Sequence, residues 1–378
     1  MFDLTEEQKM VRETVRRFAR EEVAPRAARI DREHAFPYEN LEGMRRLGLM
    51  GMPVPEEWDG GGYDFVSYIL ALEEISRACA STGVILAVHT SLACLSVLKF
   101  GTTAQKEKYL RALASGRMLG AFALTEAGAG SDAAALATRA VRQGDRYVVN
   151  GNKLFITNAG PAEVYVTFVS TGPARGARGI TALLVEKGTP GFRVGRVEEK
   201  MGLHGSATAE LVFEDALVPV ENVLGEENKG FAVAMSLLDG GRIGIGAQAV
   251  GIAQAALDAA VSYARDRRQF GQSIASFQGI QFMLADMATA VDAARLLVYR
   301  AAALKDRGEP HGKEASMAKL FATDTAMRVT TDAVQALGGY GYCCDYPVER
   351  YMRDAKVTQI YEGTNQIQRL VIARHLTK

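Results

Sequence analysis

The pattern of hydrophobic positions changes twice along this chain, and the changes divide it into three parts. Up to about residue 118 the spacing is helical. Thr5-Glu6-Glu7-Gln8 forms a capping box, with Thr5 able to cap and Gln8 able to reach back. Val11, Val15 and Phe18 then mark one apolar stripe at steps of four and three. Further helical patterns cover residues 66–80, 84–100 and 103–113. Pro37, Pro53, Pro55 and the run Gly60-Gly61-Gly62 punctuate them.

Between residues 119 and 228 the pattern changes to short β-rich runs. Residues 146–157 read as two β-rich runs around an Asn150-Gly151 hairpin signal. Residues 164–170, 180–186, 192–197 and 209–218 are further short β-like runs separated by turn residues. No helix of useful length fits between them, which predicts an antiparallel barrel or sandwich rather than βαβ units. From residue 229 to 378 the helical period returns. Ile280, Leu284, Met287, Val291, Ala294, Val298 and Ala301 form a stripe that stops before Gly308 and Pro310. Val250, Leu257, Val261 and Ala264 mark the preceding helix, and Leu320, Met327, Val334 and Leu337 the following one. Long antiparallel helices of this kind make a bundle. The expected domains are therefore 1–118 (α-helical), 119–228 (central β-barrel) and 229–378 (C-terminal four-helix bundle).

Composition narrows the function. Lys plus Arg equals Asp plus Glu at 44 each among 378 residues, so no global excess of positive charge points to nucleic acid. A few local Arg residues can still hold a phosphate. Cys79, Cys94, Cys343 and Cys344 show neither a CxxC pair nor zinc spacing, and the histidines show no HxxxH pattern, so no metal is expected. No apolar run approaches the ~18 residues of a membrane span. The acidic, amphipathic start does not read as a signal peptide, which predicts a cytoplasmic protein, with a processed mitochondrial form as the alternative.

Four segments could carry chemistry. Ala123-Leu-Thr-Glu-Ala-Gly-Ala-Gly-Ser-Asp132 can offer accessible backbone N–H groups to a phosphate or a flat ring; a plain Gly-rich turn reads equally well. Gly244-Ile-Gly246-Ala-Gln-Ala249 fits a dinucleotide fingerprint but lies in a helical context, where small residues serve close helix packing. Gln335-Ala-Leu-Gly-Gly-Tyr-Gly341 is a helix end by default, able to bring backbone amides to a ligand. In Gln359-Ile-Tyr-Glu-Gly-Thr-Asn-Gln366 a lone Glu362 sits between two helical stretches, where a loop can present it in a cleft. Most Glu residues are solvated surface charges.

Taken together, these residues resemble the acyl-CoA dehydrogenase family along essentially the whole chain. The likeness runs from Pro53-Val-Pro-Glu-Glu-Trp-Asp-Gly-Gly61 through Leu124-Thr-Glu-x-x-Ala-Gly-Ser-Asp132 and Gln335 to Asp354, ending with Glu362-Gly-Thr-Asn-Gln-Ile-Gln-Arg369. The C-terminal third is most similar to short-chain and butyryl-type members. The resemblance implies a homotetramer with one FAD per subunit, lying between the β-domain and the bundle. It implies that Phe122, Leu124, Thr125, Gly130 and Ser131 line the flavin and its ribityl chain, and that Phe155, Ile156 and Thr157 cover the ring. Arg267, Gln278, Gln335, Gly338 and Gly339 would hold the pyrophosphate and adenosine across a subunit interface, and Thr364, Asn365 and Gln366 would complete the site. Ser131, Asp239, Arg242, Tyr361 and Gly363 would border the CoA thioester.

The implied reaction is α,β-dehydrogenation of a saturated acyl-CoA of short or branched chain to the trans-2-enoyl-CoA, with Glu362 taking the α-proton and flavin N5 the β-hydride. Electrons would pass to an electron-transfer flavoprotein. Some members take the base from the position held here by Gly241, which has no side chain, so Glu362 is unrivalled. Glutaryl-type members place an Arg at a position matched here to Ile85, and an apolar residue there implies a neutral acyl tail. The family often carries Trp where this chain has Phe155. The alternatives are a monooxygenase or oxidase on the same scaffold, and a non-catalytic flavin- or acyl-CoA-binding protein.

Overall fold

The computed structural model describes residues 3–377, so the outermost residues of the first and last expected domains lie outside the described range. Helix α1 (Glu6–Phe18) starts at the expected capping box: the Gln8 N–H donates to Thr5 Oγ1, and the Thr5 N–H to Gln8 Oε1. Val15 and Phe18 are buried. Helix α2 (Phe65–Ala78) is capped by Asp64 and ends where Cys79 turns extended. Helix α3 (Ala80–Phe100) begins earlier than its pattern suggests and carries a π-helical stretch at Val88–Cys94. Such stretches often mark functional sites.

The central sheet has seven strands: β1 (Gly120–Ala123), β2 (Arg139–Gln143), β3 (Arg146–Thr157), β4 (Val164–Ser170), β5 (Ile180–Glu186), β6 (Phe192–Val197) and β7 (Thr208–Pro219). Two expectations fail here. The sheet is mixed, because β4 pairs parallel with β1 and, at one position, with β2, while pairing antiparallel with β5. It follows an open path from β5 to β6, a half-barrel. And Asn150-Gly151 is no hairpin. The turn lies at Gly144, while β3 runs straight through Gly151 as a bulge against β7. Asn150 is used instead to exchange hydrogen bonds with Asp215 across the bulge. Gly151 is required because a Cβ there would sit 2.7 Å from the Thr138 backbone.

Helices α4 (Gly230–Asp266), α5 (Gln278–Asp306) and α6 (Gly312–Leu337) form the C-terminal bundle, followed by α7 (Val348–Thr358) and α8 (Asn365–Leu376). On α5 the expected stripe is buried from Met287 onward, while Ile280 and Leu284 are half-buried. On α6, of the four apolar positions that mark the helix, Leu337 is buried while Leu320, Met327 and Val334 are only half-buried. The buried face is instead Ala315, Ala318, Lys319, Ala322, Ala326, Val329 and Ala333. Small residues let α6 approach α4 closely, so the larger apolar side chains flank the contact rather than fill it. Gly246 belongs to the same packing: an added Cβ would meet Val298 at 2.9 Å, as helix packing rather than a dinucleotide fingerprint requires.

One further expectation needs revision. By length and composition, Ala80–Phe100 and Gly230–Asp266 are apolar enough to cross a membrane. About four-fifths of each apolar stretch (78%) is buried against the rest of the protein, as in core helices.

Candidate active site

Where the half-barrel meets the bundle, a cavity of about 200 Å³ opens between α3, the β1–β2 connection, β3, α4 and the segment joining α7 to α8. Leu124, Thr125, Gly130 and Ser131 form one wall. A buried ion pair fixes their path. Lys153 Nζ lies 2.7 Å from Glu126 Oε1 and donates to Leu124 O at 3.1 Å, while the Glu126 carboxylate accepts the Ala137 and Thr138 N–H groups. Burial pulls the Lys153 amine down to about 8, against the pull of Glu126. Burial alone would raise Glu126, but Lys153 and the Thr138 and Ala137 hydrogen bonds together hold the carboxyl low.

On β3 the register slips a second time between Lys153 and Ile156. This bulge turns Lys153 inward and Phe155 outward, at φ +58° and 60% exposed. Phe122, Phe155, Ile156 and Thr157 all line the cavity.

The far wall carries Glu362. Its φ is +55°, a left-handed conformation that is costly for a residue with a side chain. Its Oε2 is buried and has no hydrogen-bond partner among the described residues. An added Cβ on Gly241 would lie 3.0 Å from both carboxylate oxygens, so the side chain rests over a bare stretch of α4. Burial raises the Glu362 pKa to about 7, opposed by the positive charges of Arg242 and Lys319. Arg242 is buried and bonded to Asp239 at 2.7 Å. Tyr361 hydrogen-bonds Gln248 on α4. The Glu362 N–H finds no protein acceptor among the described residues. A buried carboxylate poised near neutrality in an apolar cleft is suited to moving a proton.

Not every expected residue gathers there. Arg242, Tyr361 and Gly363 line the cavity; Asp239 stands behind Arg242. Arg267, Gln335, Gly338 and Gly339 meet in a separate surface groove with Tyr340, away from Glu362, and Gln278 does not line it. Thr364 caps α8 through Ile367 N, and Gln366 is exposed. The Asn365 side chain turns inward, because Lys319, Thr323 and Asp324 occupy both ends of its amide; it has no polar atom to spare for a ligand. Ile85 is buried but does not line the cavity; Val84, Val88 and Leu92 do. An inward helix face admits only every third or fourth residue, so an alignment error of one position moves a side chain off the cavity.

Family models match the chain in order: the acyl-CoA dehydrogenase N-terminal domain over residues 5–117, the middle domain over 121–216 and the C-terminal domain over 228–377. The chain belongs to the acyl-CoA dehydrogenase family. It is 54% identical over 372 residues to the short-chain specific acyl-CoA dehydrogenase of Clostridium acetobutylicum, covering 98% of each chain. Its fold superposes on butyryl-CoA dehydrogenase from Megasphaera elsdenii with a TM-score of 0.98 at 48% identity and full coverage of both. It also matches a chain solved in work on the electron transferring flavoprotein of Acidaminococcus fermentans, with a TM-score of 0.99, 53% identity and full coverage of both. Membership of this family implies a flavin. The cavity fits one, since its wall offers the exposed Phe155 ring and open backbone at Gly130, where an added Cβ would touch nothing within 4 Å.

Sequence reasoning missed Lys319, Gln368 and Lys153. For Lys319 a signal was present: it stands in line with Ala315, Ala322 and Ala326 on the buried face of α6.

Proposed function

We propose that this chain is an FAD-dependent dehydrogenase of short, saturated acyl-CoA thioesters, producing the trans-2-enoyl-CoA with Glu362 as the base. The observation that carries this reading is the unpartnered, buried carboxylate facing the largely apolar side of the cavity formed by Val84, Val88, Leu92 and Ile245. Glu362 Oε2 has a free lone pair, and its raised pKa makes it a stronger base than a solvated glutamate while leaving it substantially ionised at neutral pH. The free Glu362 N–H is placed to donate to the thioester oxygen and so acidify the α-carbon. Val84, Val88, Leu92 and Ile245 line the cavity with apolar groups, which suit an uncharged acyl tail and exclude water.

FAD, when bound, supplies the acceptor for the β-hydride. Phe122, Leu124, Thr125, Gly130, Ser131, Phe155, Ile156 and Thr157 would hold its ring and ribityl chain. Arg267, Gln335, Gly338 and Gly339 would take the phosphate end of a second subunit's FAD. That arrangement accounts for their distance from Glu362 and makes the working enzyme an oligomer, for which the family resemblance suggests a homotetramer. The electron acceptor we assign is an electron-transfer flavoprotein, supported by the match to the chain from Acidaminococcus fermentans.

The decisive test is Glu362→Gln. It should keep bound FAD and bind butyryl-CoA, yet slow anaerobic flavin reduction by about 10³-fold. Rapid bleaching of the mutant's flavin would overturn the assignment.

A further inference from the structure

The Glu362–Gly363 turn sits on an elaborate hydrogen-bonded support. Gln368, fully buried on α8, donates through Nε2 to Glu362 O at 3.1 Å and to Gly363 O at 2.8 Å. Lys319, fully buried on α6, donates to Gly363 O and to Asn365 Oδ1, each at 2.9 Å. Asn365 is fixed in turn by Thr323 and Asp324. Two carbonyls of one strained turn thus receive three N–H donors from two different helices. Without such support the left-handed Glu362 would relax, carrying its carboxylate with it.

A buried ammonium on an alanine face is itself costly unless its hydrogen bonds and charge are met. Burial draws the Lys319 amine down, while Glu362 and Asp324 hold it up and Arg242 opposes them. The charged and titratable groups around it are therefore Glu362 and Tyr361 on the turn, Asp324 on its own helix with its partner Arg369, and Arg242 with Asp239 on α4. Tyr68 on α2 also senses the Glu362 charge. Lys319 is the one ammonium among them that is bonded to the turn itself.

We infer that Lys319 and Gln368 are positioning residues for the base, clamping the Glu362–Gly363 turn from two helices, and that the Lys319 ammonium joins Arg242 in keeping the Glu362 carboxylate available in its ionised form. The inference rests on Glu362 as the base. Neither residue lines the cavity, so both act through the turn and not on substrate.

The test compares Lys319→Met, Lys319→Gln and Gln368→Leu in the FAD-loaded enzyme with butyryl-CoA, using anaerobic flavin reduction across pH. Loss of the clamp displaces the base, so Lys319→Met should lower the limiting rate by about 10²-fold, with KM changed by less than about threefold. Loss of the cation disfavours the carboxylate, so the acidic limb should move to higher pH by about one unit. Lys319→Gln keeps a donor but no charge; it should recover part of the rate while showing the same shifted limb. Gln368→Leu should lower the rate by about tenfold and leave the limb in place. A wild-type rate with an unmoved limb in Lys319→Met overturns the inference. So does failure of both Lys319 variants to accumulate as folded yellow protein, which would make the lysine a folding requirement. Glu362→Gln, run alongside, separates the two readings: if it still reduces its flavin, the base assignment fails, whatever the Lys319 variants do.

Discussion

Gly241→Ala should make this enzyme more stable and less active at once. The position is inside α4, where exchanging Gly for Ala favours the helix by about 1 kcal/mol. The added methyl carbon would stand 3.0 Å from Glu362 Oε1 and Oε2 and 3.1 Å from Cδ, and no other neighbouring group comes as close. Unstrained contacts begin at about 3.5 Å, so the carboxylate must retreat by about half an ångström. It can do so, because no hydrogen bond ties down Oε2. If a misplacement of 1 Å costs about 10²-fold, half of that costs about tenfold. The assay is stopped-flow anaerobic reduction of the flavin by butyryl-CoA, paired with a thermal melt. The expected result is a roughly tenfold slower reduction with a melting temperature at or above that of the wild type. Reduction at the wild-type rate would show that the working base does not rest against Gly241. A lowered melting temperature together with lost activity would show general damage, which refutes the reasoning equally.

Three further outcomes follow from the buried charges. Because Glu362 must be ionised to accept a proton and its pKa is raised to about 7, kcat/KM should fall about tenfold per pH unit below neutrality and level off above it; a flat profile between pH 5 and 8 would exclude Glu362 as the group that titrates. Lys153→Met strips the partner from a buried carboxylate, so it should cost about 3–5 kcal/mol and loosen FAD, read as a lower melting temperature and flavin lost on gel filtration; adding Glu126→Gln to the same chain should recover part of that loss. Asp354 is buried and accepts the Leu203 N–H, and burial raises its pKa to about 6 from an ordinary 3.8. A raised folded-state pKa means that its contribution is complete below pH 3.8 and is lost as pH climbs through 6. Asp354→Asn should therefore match the wild type near pH 4 and melt higher at pH 8, by up to about 3 kcal/mol in stability.

What could be read in the sequence was set by how local each signal is. Strands β4, β5 and β6 were legible to the residue, because short β-rich runs bounded by turn residues need no tertiary information. The Asn150-Gly151 signal misled because the same dipeptide serves a bulge, and only the partner strand β7 decides between bulge and turn. On α6 the larger apolar residues suggested the wrong face, since close helix approach selects alanine over leucine at the contact. Glu362 was found through its flanking residues and the family resemblance. That burial would raise its pKa toward neutrality was also legible; that Arg242 and Lys319 oppose the rise was not, because both are distant in sequence. Lys319 was missed although it falls in line with Ala315, Ala322 and Ala326, because a lone lysine is by default read as solvent-exposed.

Glu362 shows how such a base stays usable. Two cations near a carboxylate would on their own hold it ionised and weakly basic, as in an ordinary salt bridge. Here burial outweighs them, and the balance leaves the group near neutrality. Neither influence alone would serve: full desolvation would leave the acid protonated, and full pairing would leave it too weak to take a proton from carbon. The structure separates the two demands spatially. Hydrogen bonds hold the Glu362 backbone through Gln368 and hold Gly363 through Gln368 and Lys319, while Oε2 is left without one. The turn is held rigidly while a lone pair stays free for substrate. A direct hydrogen bond from Arg242 to that oxygen would fix the side chain better and yet disable it, which explains why Arg242 is instead directed to Asp239.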